Sequence, residues 1–212
     1  MSNLYLIYFF LFLASYLLGS IPFAFLAGKM KGIDIRKHGS GNIGATNALR
    51  VLGKPIGVCC FLLDFLKGFF PVFLASKYLL TDYPFASVVI TLGCVIGHIF
   101  TCFLKFKGGK GVATSAGTLT ALAPLPVLIA FLCWIIIFKI SGYVSLGSIC
   151  AAVICPVLTI TMKLSAKGNY PVPNIVLICF LSLIIIIRHK TNIKRLLKGE
   201  ENKFRKKKED KK

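Results

Sequence analysis

The sequence is short of charge and shorter still of acid. Only 7 of its 212 residues are Asp or Glu, and charged residues of both signs make up 16% of the chain, where a soluble domain carries about a quarter. Apolar residues reach 56% and the mean hydropathy is +0.79, which argues against a water-soluble globule. The 3 histidines have no carboxylate grouped with them, so no metal site is expected and no cofactor is implied. The 8 cysteines, Cys59, Cys60, Cys94, Cys102, Cys133, Cys150, Cys155 and Cys179, lie inside apolar segments with no C-x-x-C spacing. They read as small packing residues rather than a disulfide framework. No Lys or Arg precedes the apolar run 4–18 and no small-x-small cleavage site follows it, so this run begins a membrane span rather than a signal peptide.

What the chain has in place of charge is long apolar stretches. Segments 4–28, 56–80, 85–104, 112–140, 143–162 and 172–187 fill most of it, and about 20 apolar residues let a helix cross a bilayer. The expected fold is an all-α integral membrane domain, 1–190, followed by a basic cytoplasmic tail, 191–212. The net charge of +19 comes from 26 Lys and Arg, of which 21 lie in residues 29–54, 105–110 and 188–212. Positive loops stay in the cytoplasm, so these three segments share a side, and the charge-poor turn Thr81-Asp82-Tyr83-Pro84 takes the other. Six crossings from an outside N-terminus would leave the basic tail outside. Pro124 and Pro126 in the middle of 112–140 break a helix, which predicts a pair of short helices there. The result is a seven-helix bundle with the N-terminus outside and the C-terminus cytoplasmic. A five-span core with a re-entrant hairpin has the same parity. The tail mixes lysines with Glu200, Glu201, Glu209 and Asp210 and reads as a solvated end on anionic headgroups, with no nucleic acid partner.

Two basic loops carry the chemistry. The first runs Gly39-Ser40-Gly41-Asn42-Ile43-Gly44-Ala45-Thr46-Asn47-Ala48-Leu49-Arg50. Its glycines let backbone N–H groups turn toward an anion. Ser40, Asn42, Thr46 and Asn47 can donate to phosphate oxygens, and Arg50 can clamp two of them. The second, Phe106-Lys107-Gly108-Gly109-Lys110-Gly111, runs straight into an apolar helix and faces the same compartment. Lys110 is followed by Gly111 rather than Ser or Thr, so this is no Walker loop and no nucleotide hydrolase is supported. A third element, Arg188-His189-Lys190-Thr191-Asn192, places His189 and Asn192 on one helix face. Within apolar segments, Asp64 and Lys67 are expected to pair and hold helices together, and His98 is expected to pack between helices.

Taken together these residues resemble the bacterial membrane acyl-phosphate:glycerol-3-phosphate acyltransferases, the PlsY family, over most of the chain. The resemblance rests on Gly19-Ser20-Ile21-Pro22, Gly39-Ser40-Gly41-Asn42 through Arg50, Gly97-His98 with Phe103 and Phe106 through Val112, Tyr143-Val144-Ser145, and Arg188-His189 with Asn192 and Arg195-Leu196-Leu197. It implies a multi-pass enzyme of the bacterial cell membrane with its site on the cytoplasmic side. The implied reaction moves a fatty acyl group from acyl phosphate to the sn-1 hydroxyl of glycerol 3-phosphate, giving lysophosphatidic acid and phosphate. It also implies that Ser40, Arg50, Lys110, His189 and Asn192 meet the phosphates, with Ser148 nearby, and that a soluble enzyme making acyl phosphate is a partner.

The residues that are missing agree with that implication. The H-x-x-x-x-D dyad of acyltransferases that use acyl-CoA or acyl carrier protein is not present, since Phe103 stands five after His98, and there is no G-x-S-x-G elbow. Direct attack by the glycerol hydroxyl is then simpler than an acyl-enzyme. Lys110, Arg50 and the loop N–H groups, including those of Gly41, Gly108, Gly109 and Gly111 beside Lys107, are expected to hold phosphate charge. A substrate phosphate oxygen or His189 is expected to take the proton. A carrier for a phosphorylated metabolite is the competing class, but the polar motifs sit at cytoplasmic helix ends and no internal repeat is seen.

Overall fold

The computed structural model describes residues 2–79, 83 and 85–204. Of the expected turn at Thr81-Asp82-Tyr83-Pro84 only Tyr83 is among them, and the tail beyond Phe204 lies outside them.

Helix α1, Ser2–Ser20, gives way to α2, Phe23–Met30. Pro22 has no N–H to donate and disfavours helical backbone at Ile21. A 3-10 turn at Ile35–Lys37 and the short α3, Ala45–Val51, build the first loop. Then come α4, Lys54–Tyr78, and α5, Ala86–Ile99. A second 3-10 turn at Cys102–Leu104 leads to α6, Val112–Leu122, and α7, Pro124–Ser141. The chain ends in α8, Val144–Leu164, α9, Val172–Arg188, and α10, Lys190–Leu197.

Among the described residues, five units are long and apolar enough to cross a membrane: Asn3–Met30, Lys54–Tyr78, Ala86–Leu104, Pro124–Ser141 and Val144–Leu164. Apolar α9 reaches that length only when counted with α10, which bends away from it by 55°. The break expected at Pro124 to Pro126 falls at Ala123, and the halves are unequal rather than both short. With 11 residues, α6 rises about 16 Å, half of a hydrocarbon core about 30 Å thick. By contrast α7 has 18 residues. Pro124 opens α7 at a position that needs no backbone donor, so the apolar run behind it continues as one helix.

The packing is that of a lipid-immersed bundle. Large apolar chains such as Phe9, Phe10, Leu128, Ile136, Val176 and Leu183 point outward, while much of the interior is small or polar. Lipid is as apolar as leucine, so helices associate through close backbone approach and polar contacts. Helix α1 packs on α5, α4 on α6, and α8 on both α7 and α9. A Cβ at Gly97 of α5 would collide with the Tyr16 carbonyl of α1, and one at Gly117 of α6 with the Phe65 carbonyl of α4. Asp64 and Lys67 pair as expected, with Nζ 2.6 Å from Oδ1. Residues 191–204, expected in a basic tail, pack back on this body: Arg50 donates to the Asn202 carbonyl and Phe204 N–H to the Gly142 carbonyl. Both basic loops, the α7–α8 turn and the α9–α10 bend thus gather at one end of the bundle.

Candidate functional site

The first loop is built around one side chain. Asn47, fully buried, accepts the Ser40 N–H at 2.8 Å and donates to the Ile35 and His38 carbonyls at 2.9 and 3.1 Å. It was expected to donate to phosphate, but both its amide hydrogens are already given to the loop's own backbone. Gly39 and Gly41 take left-handed φ of 60° and 70°, which turns the loop tightly around Asn47 and exposes Ser40, Gly41 and Asn42 along one wall of a cavity of about 360 Å³. Thr46 is half-buried and lines neither this cavity nor its neighbour.

The second loop is held by backbone. Gly108 and Gly109 donate their N–H groups to the Ile99 and His98 carbonyls, both at 3.0 Å, and the Gly109 carbonyl accepts from Arg188 at 3.1 Å. Those two N–H groups, expected at phosphate, instead extend the end of α5. Gly108 and Lys110 line the 360 Å³ cavity. Gly111, left-handed at φ 85°, caps α6 from a buried position, and Lys107 is exposed outside both cavities. The loop is entered through strained backbone, since Lys105 and Phe106 hold φ of 53° and 60°, a conformation costly for residues with a Cβ.

The α9–α10 bend brings the third element against the second. Lys110 Nζ donates to Asn192 Oδ1, and Asn192 Nδ2 donates to Glu201 Oε1 at 2.7 Å. Glu201 is also held by Arg195 Nε at 2.7 Å and by the Ser145 hydroxyl at 2.9 Å. His189 is buried at the bend, as is Asn192 three residues on, and neither lines either cavity. The His189 Nδ1 lies 2.7 Å from the Ile185 carbonyl, and because a carbonyl only accepts, Nδ1 carries the proton. Arg50 occupies an adjoining cavity of about 350 Å³ with Gly39, Asn202 and Phe204, its guanidinium 5.1 Å from the Phe204 ring. Ser148 lines neither cavity. Its hydroxyl donates to the Val144 carbonyl at 3.0 Å and accepts the Trp134 indole N–H at 3.2 Å. Ser145, one turn earlier, is the serine that reaches the Glu201 network.

Electrostatics follow from a cluster of cations with one carboxylate among them. Burial pushes the Lys110 ammonium down to about 8, Glu201 works against this, and Arg195, Arg50 and Arg188 add to it. Burial also lowers the Arg50 guanidinium. His189, beyond the last residue of α9, is pushed down to about 4 by burial and then by the charge of Lys110. Burial alone would raise Glu201, but hydrogen bonds from Arg195, Asn192 and Ser145 outweigh it and hold the carboxyl below its usual range. Sequence reasoning missed Arg188, Lys190, Thr191 and Arg195 as cavity walls and Glu201 as the carboxylate that holds Arg195, Asn192 and Ser145. The one available signal was an acidic pair, Glu200-Glu201, directly after Gly199 in an otherwise basic run.

A family model described as glycerol-3-phosphate acyltransferase matches residues 9–199. A glycerol-3-phosphate acyltransferase of Endomicrobium trichonymphae is 46% identical over 194 residues, 90% of this chain and 92% of the relative. A crystal structure of PlsY (YgiH), an integral membrane glycerol 3-phosphate acyltransferase, in its glycerol 3-phosphate form is 43% identical, with a TM-score of 0.85 over 93% of this chain and 96% of the other. Its lysophosphatidic acid form is 42% identical, with a TM-score of 0.82 over 93% and 95%. Matching in sequence along nearly all of its length and in fold, the chain belongs to the PlsY family of integral membrane glycerol-3-phosphate acyltransferases.

Proposed function

We propose that this chain transfers a fatty acyl group from acyl phosphate to the sn-1 hydroxyl of glycerol 3-phosphate, releasing phosphate and lysophosphatidic acid. It does so at the cytoplasmic face of a bacterial cell membrane, with the N-terminus outside and seven membrane segments if α6 and α9 are counted. The observation that carries this reading is the meeting of three separate sequence elements around one cationic cavity, with Lys110 on Asn192 and Ser40, Arg188 and Arg195 around them. Relatives of the same family are described with glycerol 3-phosphate and with lysophosphatidic acid, which supports the acceptor and the product.

Acyl phosphate is an activated mixed anhydride, so the enzyme's work is positioning and charge stabilisation. The glycerol hydroxyl oxygen attacks the acyl carbonyl carbon, the bond from that carbon to the phosphate oxygen breaks, and the departing phosphate takes the hydroxyl proton. Lys110 and Arg50 hold phosphate charge, and Ser40 and Asn42 donate to phosphate oxygens. Asn192 orients Lys110. His189 is a poor base, because a group near 4 lies far from the operating pH at which proton transfer is efficient. The acyl chain stays among the helices or in lipid. The basic face of the loops suits docking of a soluble enzyme that makes acyl phosphate.

The test is lysophosphatidic acid formation by purified protein in detergent from labelled glycerol 3-phosphate, with palmitoyl phosphate or palmitoyl-CoA as donor. Product from acyl phosphate alone is expected. Product from palmitoyl-CoA alone would overturn the donor assignment, and glycerol 3-phosphate accumulation by vesicles without product would overturn the enzyme reading.

A further inference from the structure

Three ionisable side chains inside the membrane-spanning helices take no part in the reaction above. Asp64 and Lys67 of α4 and His98 in the last turn of α5 are all buried, a costly placement that in membrane proteins ordinarily serves function. Lys67 Nζ lies 2.6 Å from Asp64 Oδ1 and donates to the Ile21 carbonyl at 2.7 Å, at the break before Pro22. The Phe23 ring lies 5.3 Å from the same ammonium. His98 Nδ1 is 3.5 Å from the same Asp64 oxygen.

The opposite edge of the imidazole meets the second loop. The three atoms that a Cβ at Gly109 would strike first are Nε2, Cδ2 and Cε1 of His98. The His98 and Ile99 carbonyls accept the Gly109 and Gly108 N–H groups. The next residue is Lys110, whose amine reaches Asn192. His98 was expected only to pack between helices. An apolar ring would fill that space without a carboxylate behind it, whereas here an ion pair stands behind the ring and a glycine is required in front of it.

We propose that Asp64, Lys67 and His98 are positioning residues that seat the 108–110 loop. The imidazole is the surface on which Gly109 rests, and the Asp64–Lys67 pair fixes the imidazole's orientation, so that Lys110 meets the substrate phosphate in one place. This rests on the reading of Lys110 as a phosphate-binding residue.

The experiment is a set of variants of the full chain in detergent, with kcat/KM for both substrates and thermal midpoints measured on each. Gly109→Ala is expected to lower kcat/KM about 10²-fold by displacing the loop. Adding His98→Ala removes the ring that the new methyl strikes, so the double variant recovers part of that loss. In a Lys110→Ala background His98→Ala has no further effect, because it acts through that amine. His98→Asn, which presents an amide toward Asp64, retains more activity than His98→Ala. It also carries the same cycle with Gly109→Ala should His98→Ala not accumulate as folded protein. A double variant no better than Gly109→Ala, or an equal His98→Ala loss with and without Lys110, overturns the proposal. Wild-type kcat/KM in Lys110→Ala would instead overturn the reading of Lys110, whatever the steric pair shows.

Discussion

The two glycine-rich loops read alike in sequence and are held in opposite ways. In the first, one buried side chain, Asn47, binds three backbone groups and leaves Ser40 and Asn42 at the cavity. In the second, backbone binds backbone: Gly108 and Gly109 dock on the end of α5, and a side chain, Lys110, goes to the cavity. A glycine-rich basic loop therefore marks where an anion is held without saying which of its groups are available. That depends on what the loop must satisfy to hold its own shape.

The largest effect should come from Lys110, the second loop's side chain at the cavity. Lys110→Ala is expected to lower kcat/KM by about 10² to 10³, the loss seen when a single charge-stabilising donor is removed, with the thermal midpoint nearly unchanged. The first loop should break differently. Asn47→Ala leaves buried backbone groups unpartnered at about 1–3 kcal/mol, so its activity loss should come with a lowered thermal midpoint. Measuring rate and midpoint on both variants checks the contrast, and equal midpoints would erase it.

A smaller effect concerns pH. Lys110 is pushed down to about 8, so the unliganded enzyme carries the full cationic site below that pH and loses it as pH rises through it. The kcat/KM for the phosphate substrates should fall on that limb. Lys110→Arg, charged at all assay pH values, should move the fall to higher pH. Glu201→Gln removes the charge that raises Lys110, so the fall should begin at lower pH. The smallest expected change is in His189→Gln, which should leave the shape of the pH profile of kcat unchanged because His189 is not the base. A lost acidic limb would return that role to it.

Much of this was legible in the sequence, for reasons that vary with range. Apolar run length set the helices, because a membrane span is a local requirement, and the proline pair located the α6–α7 break to within a residue. The pairing of Asp64 with Lys67 followed from helical spacing. Lys110 and Ser40 line one cavity and Lys110 donates to Asn192, a neighbourhood that the resemblance to the PlsY family implied more than composition did. What sequence could not give was direction. Asn47 and Asn42 are the same residue type in the same loop, yet one is spent inward and the other faces the cavity. Glu201 looked like part of a solvated tail because its partners, Ser145 and Asn192, lie 56 and 9 residues away. His98 looked like packing because the carboxylate behind it belongs to another helix.

In the proposed reaction both phosphate-bearing substrates occupy this one end of the bundle together, so that the hydroxyl attacks the acyl phosphate directly. The most direct measurement is an initial-rate matrix in which palmitoyl phosphate and glycerol 3-phosphate are varied against each other. Double-reciprocal lines that intersect are the predicted result. Parallel lines, the signature of a ping-pong route through an acyl-enzyme, would contradict it.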